Sequence, residues 1–180
     1  AATVSDIIGA GILPAALELL DKVLINAVED ANHIGLPREA EGLLLIEVDG
    51  NEQQVENELA LIIEKTRKNN AVSIQEARTA EDRDNLWRAR RSMDPSLARL
   101  KPNCIVEDAT VPASKVPEVI RGIRSIVDKH GLLVGISAHA GDGNMHPLIS
   151  CDIRDSDEMQ RVEKAIGEIF KLAMSYNGTL

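Results

Sequence analysis

The segment 138–147 reads Ala-His-Ala-Gly-Asp-Gly-Asn-Met-His-Pro, and it restricts the fold more than any other part of the chain. It lies between two apolar runs, 132–138 and 144–150, and its Gly-Asp-Gly centre consists of residues that tolerate positive φ. A sharp reversal between two strand-like runs predicts a β-hairpin. The hairpin makes His139 and His146 neighbours.

The length of the hairpin loop decides whether the two imidazoles share a face, because successive side chains of a strand point to opposite faces. A three-residue loop, 141–143, puts them on opposite faces. A two- or four-residue loop pairs His139 with Asn144 and leaves His146 diagonal to His139, about 7 to 8 Å away at the backbone. That arrangement suits two nitrogens bound to one metal ion. The spacing alone leaves this reading and an ordinary hairpin with two unrelated histidines equally open.

The composition excludes several classes of function. The 180 residues carry a formal net charge of -9 and only 2% are aromatic, so the chain lacks the positive surface and the stacking side chains of a nucleic-acid binder. No apolar run approaches the roughly 20 residues of a membrane span, and the first residues of the sequence carry neither a positively charged lead nor a signal-type hydrophobic stretch. Cys104 and Cys151 form no Cys-x-x-Cys pair, which favours a reducing compartment and a cytoplasmic location.

Hydrophobic periodicity predicts alternating helices and strands. We expect helices over 14–32, 51–70, 79–97 with an interruption at Pro95, 114–131 and 155–176, and strands over 42–49, 71–77, 104–111, 132–138 and 144–150. Two strand-helix-strand units in one sheet predict an α+β fold, a ferredoxin-like antiparallel sheet with helices packed on one face. The other face would then be free for a ligand or a partner. We read residues 1–180 as a single domain.

A metal site on the hairpin needs more than two imidazoles, which rarely hold a divalent ion alone. Glu107, Asp108 and Asp142 are candidates for a third ligand, and none has a spacing that makes it the clear choice. An aspartate in a Gly-Asp-Gly turn is more often a residue that caps the turn backbone.

Three arginines, Arg88, Arg90 and Arg91, follow Trp87 on one predicted helix. A planar guanidinium is well shaped to bind a carboxylate through two hydrogen bonds, so this cluster suits a small organic acid. The alternative is a solvated helix face paired with nearby acidic residues, and for Trp87 the alternative is packing in the core. The chain has no Gly-x-Gly-x-x-Gly after a strand and no nucleophile set beside a base.

Taken together, these motifs resemble the C-terminal domain of FAD-linked 2-hydroxyacid oxidoreductases. The residues that carry the resemblance are the string 139–147, Trp87-x-x-Arg90, Glu107-Asp108-x-x-Val111-Pro112, and Ile12-Leu13-Pro14-Ala15 with Glu18. Within that family the chain is most similar to the FAD-linked subunit of glycolate oxidase, with D-lactate and D-2-hydroxyglutarate dehydrogenases as relatives.

The resemblance implies a two-part enzyme in which a separate flavin domain holds FAD and this domain covers it. His139 and His146 match histidines that bind a divalent metal such as zinc, manganese or iron. Arg90 matches an arginine that binds the substrate carboxylate, and Asn144 is a candidate contact to the cofactor. The implied partners are a small 2-hydroxy acid, the flavin domain and an iron-sulfur subunit, through which the enzyme would lie at the inner membrane.

Two departures from the family pattern favour a small acid such as glycolate or D-lactate. Val106 stands where 2-hydroxyglutarate relatives have a lysine, and Leu148 stands where they have an asparagine. In the family a Glu-His-Gly segment follows the Asn-Gly-Thr-Leu seen at 177–180, and it supplies the third metal ligand and the base. We therefore expect the chain to lack that segment and the flavin domain, to hold no catalytic residue and to be inactive alone.

The resemblance also predicts the two- or four-residue loop, with both imidazoles on one face. Two other functions remain open at this point, a non-enzymatic ferredoxin-like module for small-molecule binding or dimerisation and a stand-alone metal hydrolase. An apolar face that normally meets a flavin domain would favour self-association.

Overall fold

A computed structural model describes residues 2–180. Its helices are α1 (Ala2–Gly9), α2 (Lys22–Asn32), α3 (Glu52–Lys68), α4 (Ala80–Leu97), α5 (Val116–His130, after a 3-10 turn at Ala113–Lys115) and α6 (Ser156–Ser175). Its strands are β1 (Ala16–Asp21), β2 (Gly42–Glu47), β3 (Asn103–Val106), β4 (Ala109–Thr110), β5 (Leu133–His139) and β6 (Asn144–Cys151).

The strands form one sheet in the order β2-β1-β5-β6-β3, and β4 also pairs with β6. Every neighbouring pair is antiparallel. The predicted α+β class with an antiparallel sheet is therefore confirmed. The hairpin β5-β6 lies at the centre of the sheet, so its residues are held by strands on both sides.

Helices cover both faces of this sheet, and the prediction of helices on one face is wrong. Val134, Ile136 and Ala138 of β5 pack in a core with α5 and α6. On the opposite face α2 lies directly on β5, since a Cβ at Gly135 would stand 2.4 Å from Leu24, and α4 packs beside α2. The second face is therefore not free as we expected, since α2 and α4 lie on it.

The cause of this error is the segment 14–32, which forms β1 and then α2 rather than one helix. Leu17, Leu20 and Leu24 fit a helical spacing, but Leu17 and Leu20 are buried from a strand on opposite faces of the sheet. Asp21 ends the strand and caps the helix, because its carboxylate accepts a hydrogen bond from the backbone N–H of Leu24. Helix α2 then returns over the face that we expected to be open.

Other predictions met different outcomes. The strand over 71–77 is wrong, because this segment is almost entirely exposed and pairs with no strand within residues 2–180. The strand over 104–111 is divided into β3 and β4. The helix capped by Thr79 is confirmed with its capping box, in which Asp82 is the reciprocal partner, but the predicted interruption at Pro95 is wrong, because α4 continues through Pro95 to Leu97. The helix after Asn51 and the hairpin strands also lie where the sequence indicates.

Candidate functional site

The hairpin register brings both histidines to the sheet face that carries α2 and α4. His139 pairs with Asn144 and Ser137 pairs with His146 across β5 and β6, with a four-residue loop over 140–143. The two imidazole centroids are 5.0 Å apart, with the ring planes at 84°. The predicted register, with both rings on one face, is confirmed.

The loop is fixed by Gly143 and Asp142. Gly143 has φ of 86° and its Cβ position would lie 1.9 Å from the carbonyl oxygen of Val111, so only glycine fits there. The Asp142 carboxylate accepts a hydrogen bond from the N–H of Asn144 at 2.9 Å. Asp142 is thus a turn residue, as its setting between two glycines favours.

The residues of the site form two rows across the sheet, because directly paired residues of antiparallel strands share a face. The first row contains Glu18, His139, Asn144 and Thr110. The second contains Leu20, Ser137, His146 and Asp108. Asp108 belongs to it because Val106 pairs with Leu148 and Ala109 with Met145, an unbroken register that sets Asp108 across from His146.

A carboxylate binds each imidazole through its Nδ1. Glu18 Oε1 lies 2.6 Å from Nδ1 of His139, and Asp108 Oδ1 lies 2.5 Å from Nδ1 of His146. The Glu18 side chain is 9% exposed, whereas that of Asp108 is 65% exposed. Each bond leaves Nε2 as the nitrogen with a free lone pair, provided that Nδ1 carries the proton.

Arg90 reaches the site from α4. Its Nε donates to Glu18 Oε2 at 2.8 Å, so one carboxylate contacts both Arg90 and His139. Arg91 instead binds Asp84 on its own helix, and Arg88 is exposed. Of the three arginines in the cluster, Arg90 is therefore the one that the fold directs to the histidines.

A second, partly exposed contact orients α4. Glu47 of β2 accepts hydrogen bonds from Nε and Nη2 of Arg83, at 3.1 and 2.8 Å, and from Nε1 of Trp87 at 2.7 Å. These bonds, those from Arg83 first, hold the pKa of the Glu47 carboxyl below its usual range. Trp87 thus attaches the helix to the sheet one turn before Arg90.

Two polar residues lie between these groups. Thr110 Oγ1 donates to the side-chain oxygen of Asn144 at 3.2 Å. The Ser137 hydroxyl is fully buried and has no hydrogen-bond partner within residues 2–180. A buried hydroxyl without a partner is unusual, and here it lies next to His146 in the second row.

The donor set fits two ligands of a divalent metal. Metal-binding histidines commonly donate Nδ1–H to a carboxylate, which fixes the tautomer and presents Nε2, and both imidazoles have such a partner. No group of three or more His, Cys, Asp or Glu side chains is arranged for a metal in the part of the chain that the structure describes. The flavin is a different case, because the sequence contains no glycine-rich phosphate loop after a strand.

Sequence reasoning missed Glu18 and Glu47 as parts of the site. Glu18 was hidden by the false helix over 14–32, in which it falls on the polar side. The available signal was a single charged residue inside the run Leu17-Glu18-Leu19-Leu20, because a charge in a buried strand requires a partner.

None of the helices in residues 2–180 combines the length and the apolarity needed to cross a bilayer.

The sequence is similar to curated proteins along its whole length. It is 47% identical over 180 residues to the glycolate oxidase subunit GlcD of Bacillus subtilis (strain 168), and the alignment covers 100% of this chain and 38% of that protein. It is 36% identical to GlcD of Escherichia coli (strain K12), over 98% of this chain and 36% of that protein. A probable mitochondrial D-lactate dehydrogenase of Danio rerio is 31% identical, with 96% and 35% covered. The chain thus spans less than two fifths of each of these relatives.

Solved structures share the fold at low sequence identity. A 4-ethylphenol oxidase from Gulosibacter chungangensis superposes with a TM-score of 0.66 at 13% identity, over 96% of this chain and 40% of that one. An alkyldihydroxyacetonephosphate synthase superposes with a TM-score of 0.63 at 15% identity, over 99% of this chain and 37% of that one.

The family model described as "FAD linked oxidases, C-terminal domain" matches residues 1–180. This match confirms the family resemblance read from the histidine string, from Trp87-x-x-Arg90 and from Glu107-Asp108. It also confirms FAD as the cofactor of the family. The chain belongs to the C-terminal domain family of FAD-linked oxidases.

Proposed function

We propose that this domain binds the substrate and a divalent metal in a flavin-dependent 2-hydroxyacid dehydrogenase or oxidase. The observation that carries the proposal is the grouping of His139, His146 and Arg90 around Glu18 on one sheet face. The names of the relatives, glycolate oxidase subunit and D-lactate dehydrogenase, support a small 2-hydroxy acid as the substrate.

Arg90 binds the substrate carboxylate in this proposal. Its Nε is held by Glu18 and its Nη1 lies 3.3 Å from the sulfur of Met93, so Nη2 is the donor that is presented to the acid in a fixed orientation. Its side chain is 21% exposed, so the guanidinium is accessible at the surface but anchored on one side. This preorganisation lowers the entropy lost when the acid binds.

His139 and His146 would hold the metal through Nε2, and the metal would supply a Lewis acid for the 2-hydroxyl of the substrate. The flavin, held by another domain, would supply a two-electron acceptor. Asn144 lies beside His139 in the first row and is our candidate for a contact to the cofactor. The two imidazoles also orient the acid relative to Arg90. Their backbone positions are fixed because β5 pairs with β1 and β6 pairs with β3 and β4.

A small substrate is supported by what surrounds the histidines. Leu148 is buried below the site and offers no donor to a second carboxylate, and Val106 is half-exposed and apolar on the same face. A dicarboxylate would need a second cation or amide here. Glycolate and D-lactate need neither.

We infer a ferredoxin-like arrangement for the C-terminal half of the sheet. The elements β3 with β4, α5, β5, β6 and α6 follow the order strand, helix, strand, strand, helix, and Thr179 pairs with Thr110 of β4. A fourth strand through Thr179 would complete the fold, and β1 and β2 extend it past β5. Residues 1–180 would then form one domain.

We propose further that the flavin domain and a Glu-His-Gly segment lie outside residues 1–180, so that this chain alone is inactive. The third metal ligand and the base would come from that segment. The free thiols of Cys104 and Cys151 support a cytoplasmic location. An iron-sulfur subunit, contact with the inner membrane through it, and self-association of the isolated domain are parts of the same proposal.

The test uses the full-length enzyme with glycolate and D-lactate as substrates. We expect His139→Ala and His146→Ala each to lower kcat/KM roughly 100-fold or more and to reduce bound metal. Arg90→Met should raise KM by about tenfold or more with a smaller effect on kcat.

Unchanged kcat/KM and metal content in both histidine variants would contradict the metal role. Turnover by residues 1–180 with FAD added would contradict the proposed division of the site between domains.

A further inference from the structure

We infer that Glu18 is a positioning residue that couples the substrate arginine to the metal-binding hairpin. The inference rests on the proposed function and deepens it. One buried carboxylate uses Oε1 for His139 and Oε2 for Arg90, so the orientation of each group depends on the same side chain.

The position of Glu18 makes this coupling rigid. It lies in β1, which pairs with β5 on one side and β2 on the other, and its residue pairs are His139 and Leu45. Its backbone therefore cannot move without disrupting two ladders. Arg90 comes from a different element, α4, whose position is set by the contacts of Glu47 with Arg83 and Trp87.

Replacing Glu18 by glutamine separates this role from simple packing, because an amide has nearly the same shape but only one acceptor oxygen. The charged guanidinium of Arg90 competes better for that oxygen. The amide NH₂ then faces Nδ1 of His139, which must become an acceptor. The imidazole proton moves to Nε2, and a protonated Nε2 cannot bind a metal ion.

The chain offers a matched control remote from the site. Glu168 of α6 also contacts a histidine and a cation: its Oε1 lies 3.1 Å from Nε2 of His130 and 2.8 Å from Nζ of Lys129, and its side chain is 35% exposed. Glu168→Gln therefore makes the same chemical change to the same kind of cluster. Only the Glu18 cluster includes groups that the proposed function uses.

The experiment compares Glu18→Gln and Glu168→Gln in the full-length flavoprotein, with Zn²⁺ as the metal probe. In Glu18→Gln we expect the Kd for Zn²⁺, from chelator competition, to rise 10- to 100-fold. We also expect KM for the 2-hydroxy acid at saturating Zn²⁺ to rise about threefold to tenfold, because Arg90 loses a charged partner. Glu168→Gln should change neither quantity. An unchanged Zn²⁺ affinity in a folded Glu18→Gln protein would overturn the inference.

A second variant keeps the test decisive if Glu18→Gln does not fold. Arg90→Met removes a residue that is not a metal ligand, yet it frees one side of Glu18. Coupling predicts that the Kd for Zn²⁺ rises several-fold in this variant. If Arg90 and His139 are independent, the Zn²⁺ affinity is unchanged, and that result would contradict the role of Glu18.

Failure of this inference can be distinguished from failure of the proposed function. If the wild-type enzyme neither oxidises a 2-hydroxy acid nor binds Zn²⁺, the proposed function fails. The tautomer of His139, read from ¹⁵N chemical shifts of labelled imidazoles and assigned with His139→Ala, then tests Glu18 alone. We expect the proton on Nδ1 in the wild type and on Nε2 in Glu18→Gln, and an identical tautomer in both would overturn the inference.

Discussion

The two histidines of the hairpin make the same kind of hydrogen bond, from Nδ1 to a carboxylate, but the two carboxylates differ in burial. Each donates from Nδ1 to the carboxylate directly across the sheet, yet the Glu18 side chain is 9% exposed and that of Asp108 is 65% exposed. Glu18 also holds Arg90, whereas Asp108 faces water. An exposed pair contributes about 0 to 1 kcal/mol, while the loss of one partner from a buried pair costs about 3 to 5 kcal/mol. Equal distances therefore do not imply equal roles.

The difference originates in the strands that carry the carboxylates. Glu18 lies inside β1 with a strand on each side, and Asp108 lies in the two-residue interruption between β3 and β4. A carboxylate in the middle of a sheet must be satisfied by protein groups, whereas one near an edge can turn to solvent. The buried Glu18 therefore restricts the orientation of the His139 ring, whereas the exposed Asp108 restricts that of His146 less.

The largest effect should come from the turn that keeps both pairs in register. In Gly143→Ala a methyl group meets the Val111 carbonyl, and we expect a loss of about 3 kcal/mol or more in the free energy of unfolding. Gly141→Ala is the control, because a Cβ at Gly141 would lie 3.9 Å from Leu17, an ordinary van der Waals distance, and Gly141 has no positive φ. Denaturant unfolding of the chain measures both. Similar losses in the two variants would show that the turn does not depend on Gly143.

The second-largest effect tests whether the buried Glu18 contributes more to stability than the exposed Asp108. Glu18→Ala should lower the free energy of unfolding by about 3 kcal/mol, because it leaves Arg90 and His139 without their acceptor. Asp108→Ala should lower it by less than about 0.5 kcal/mol. The same denaturant titration, run on both variants, checks the ratio. Equal costs would mean that burial does not distinguish the two pairs.

A third carboxylate provides a reference far from the histidines. Glu158 is buried at the start of α6. Its carboxylate accepts a hydrogen bond from the N–H of Asp152 at 3.0 Å and pairs with Lys101. The contact with Lys101 is the main cause that lowers the pKa of Glu158 from its ordinary value of about 4.5. Glu158→Gln should cost about 2 kcal/mol at pH 7.

The pH dependence of this cost has a defined sign. A pKa lowered in the folded state stabilises the protein above the unfolded pKa, and this stabilisation is lost as the pH falls through the folded value. The difference between wild type and Glu158→Gln should therefore shrink below about pH 4.5. Unfolding curves at pH 7, 5 and 3 measure it, and a constant difference across that range would contradict the assignment.

The smallest effect concerns the arginine that follows Arg90. Arg91→Ala removes an exposed pair with Asp84, 3.5 Å apart, and should change the free energy of unfolding by less than about 0.5 kcal/mol. Its KM should equal that of the wild-type enzyme in steady-state assays. A KM increase like that of Arg90→Met would mean that the whole arginine cluster, and not Arg90 alone, serves the site.

The sequence predicts the parts of the site that depend on local chemistry. Gly-Asp-Gly requires the turn, the turn with the family resemblance specifies the register, and the register places His139 and His146 on one face. Thr79 with Asp82 marks the start of α4 and thereby places Arg90 on a helix. Each of these signals acts over a few residues, which is why it can be read without the fold.

The remaining parts depend on distant contacts. Glu18 and Arg90 are 72 positions apart, and their contact requires the order β2-β1-β5 together with the packing of α4. The leucines at 17, 20 and 24 satisfy helix and strand-plus-helix patterns equally well, so periodicity could not find β1. In 71–77, Val72 and Ile74 alternate as in a strand, but both are exposed, and no strand of the described residues pairs with this segment.

The interruption between β3 and β4 has a consequence for how such a site can change. Only Glu107 and Asp108 lie between the strands, and on either side both strands keep the same register with β6. Substitutions at these two positions alter what surrounds His146 while the ladders above and below remain intact. Substitutions at Glu107 and Asp108 can therefore change the substrate preference proposed above at little cost to folding. A substitution at Glu18 changes the buried contacts of the site and the stability of the domain together.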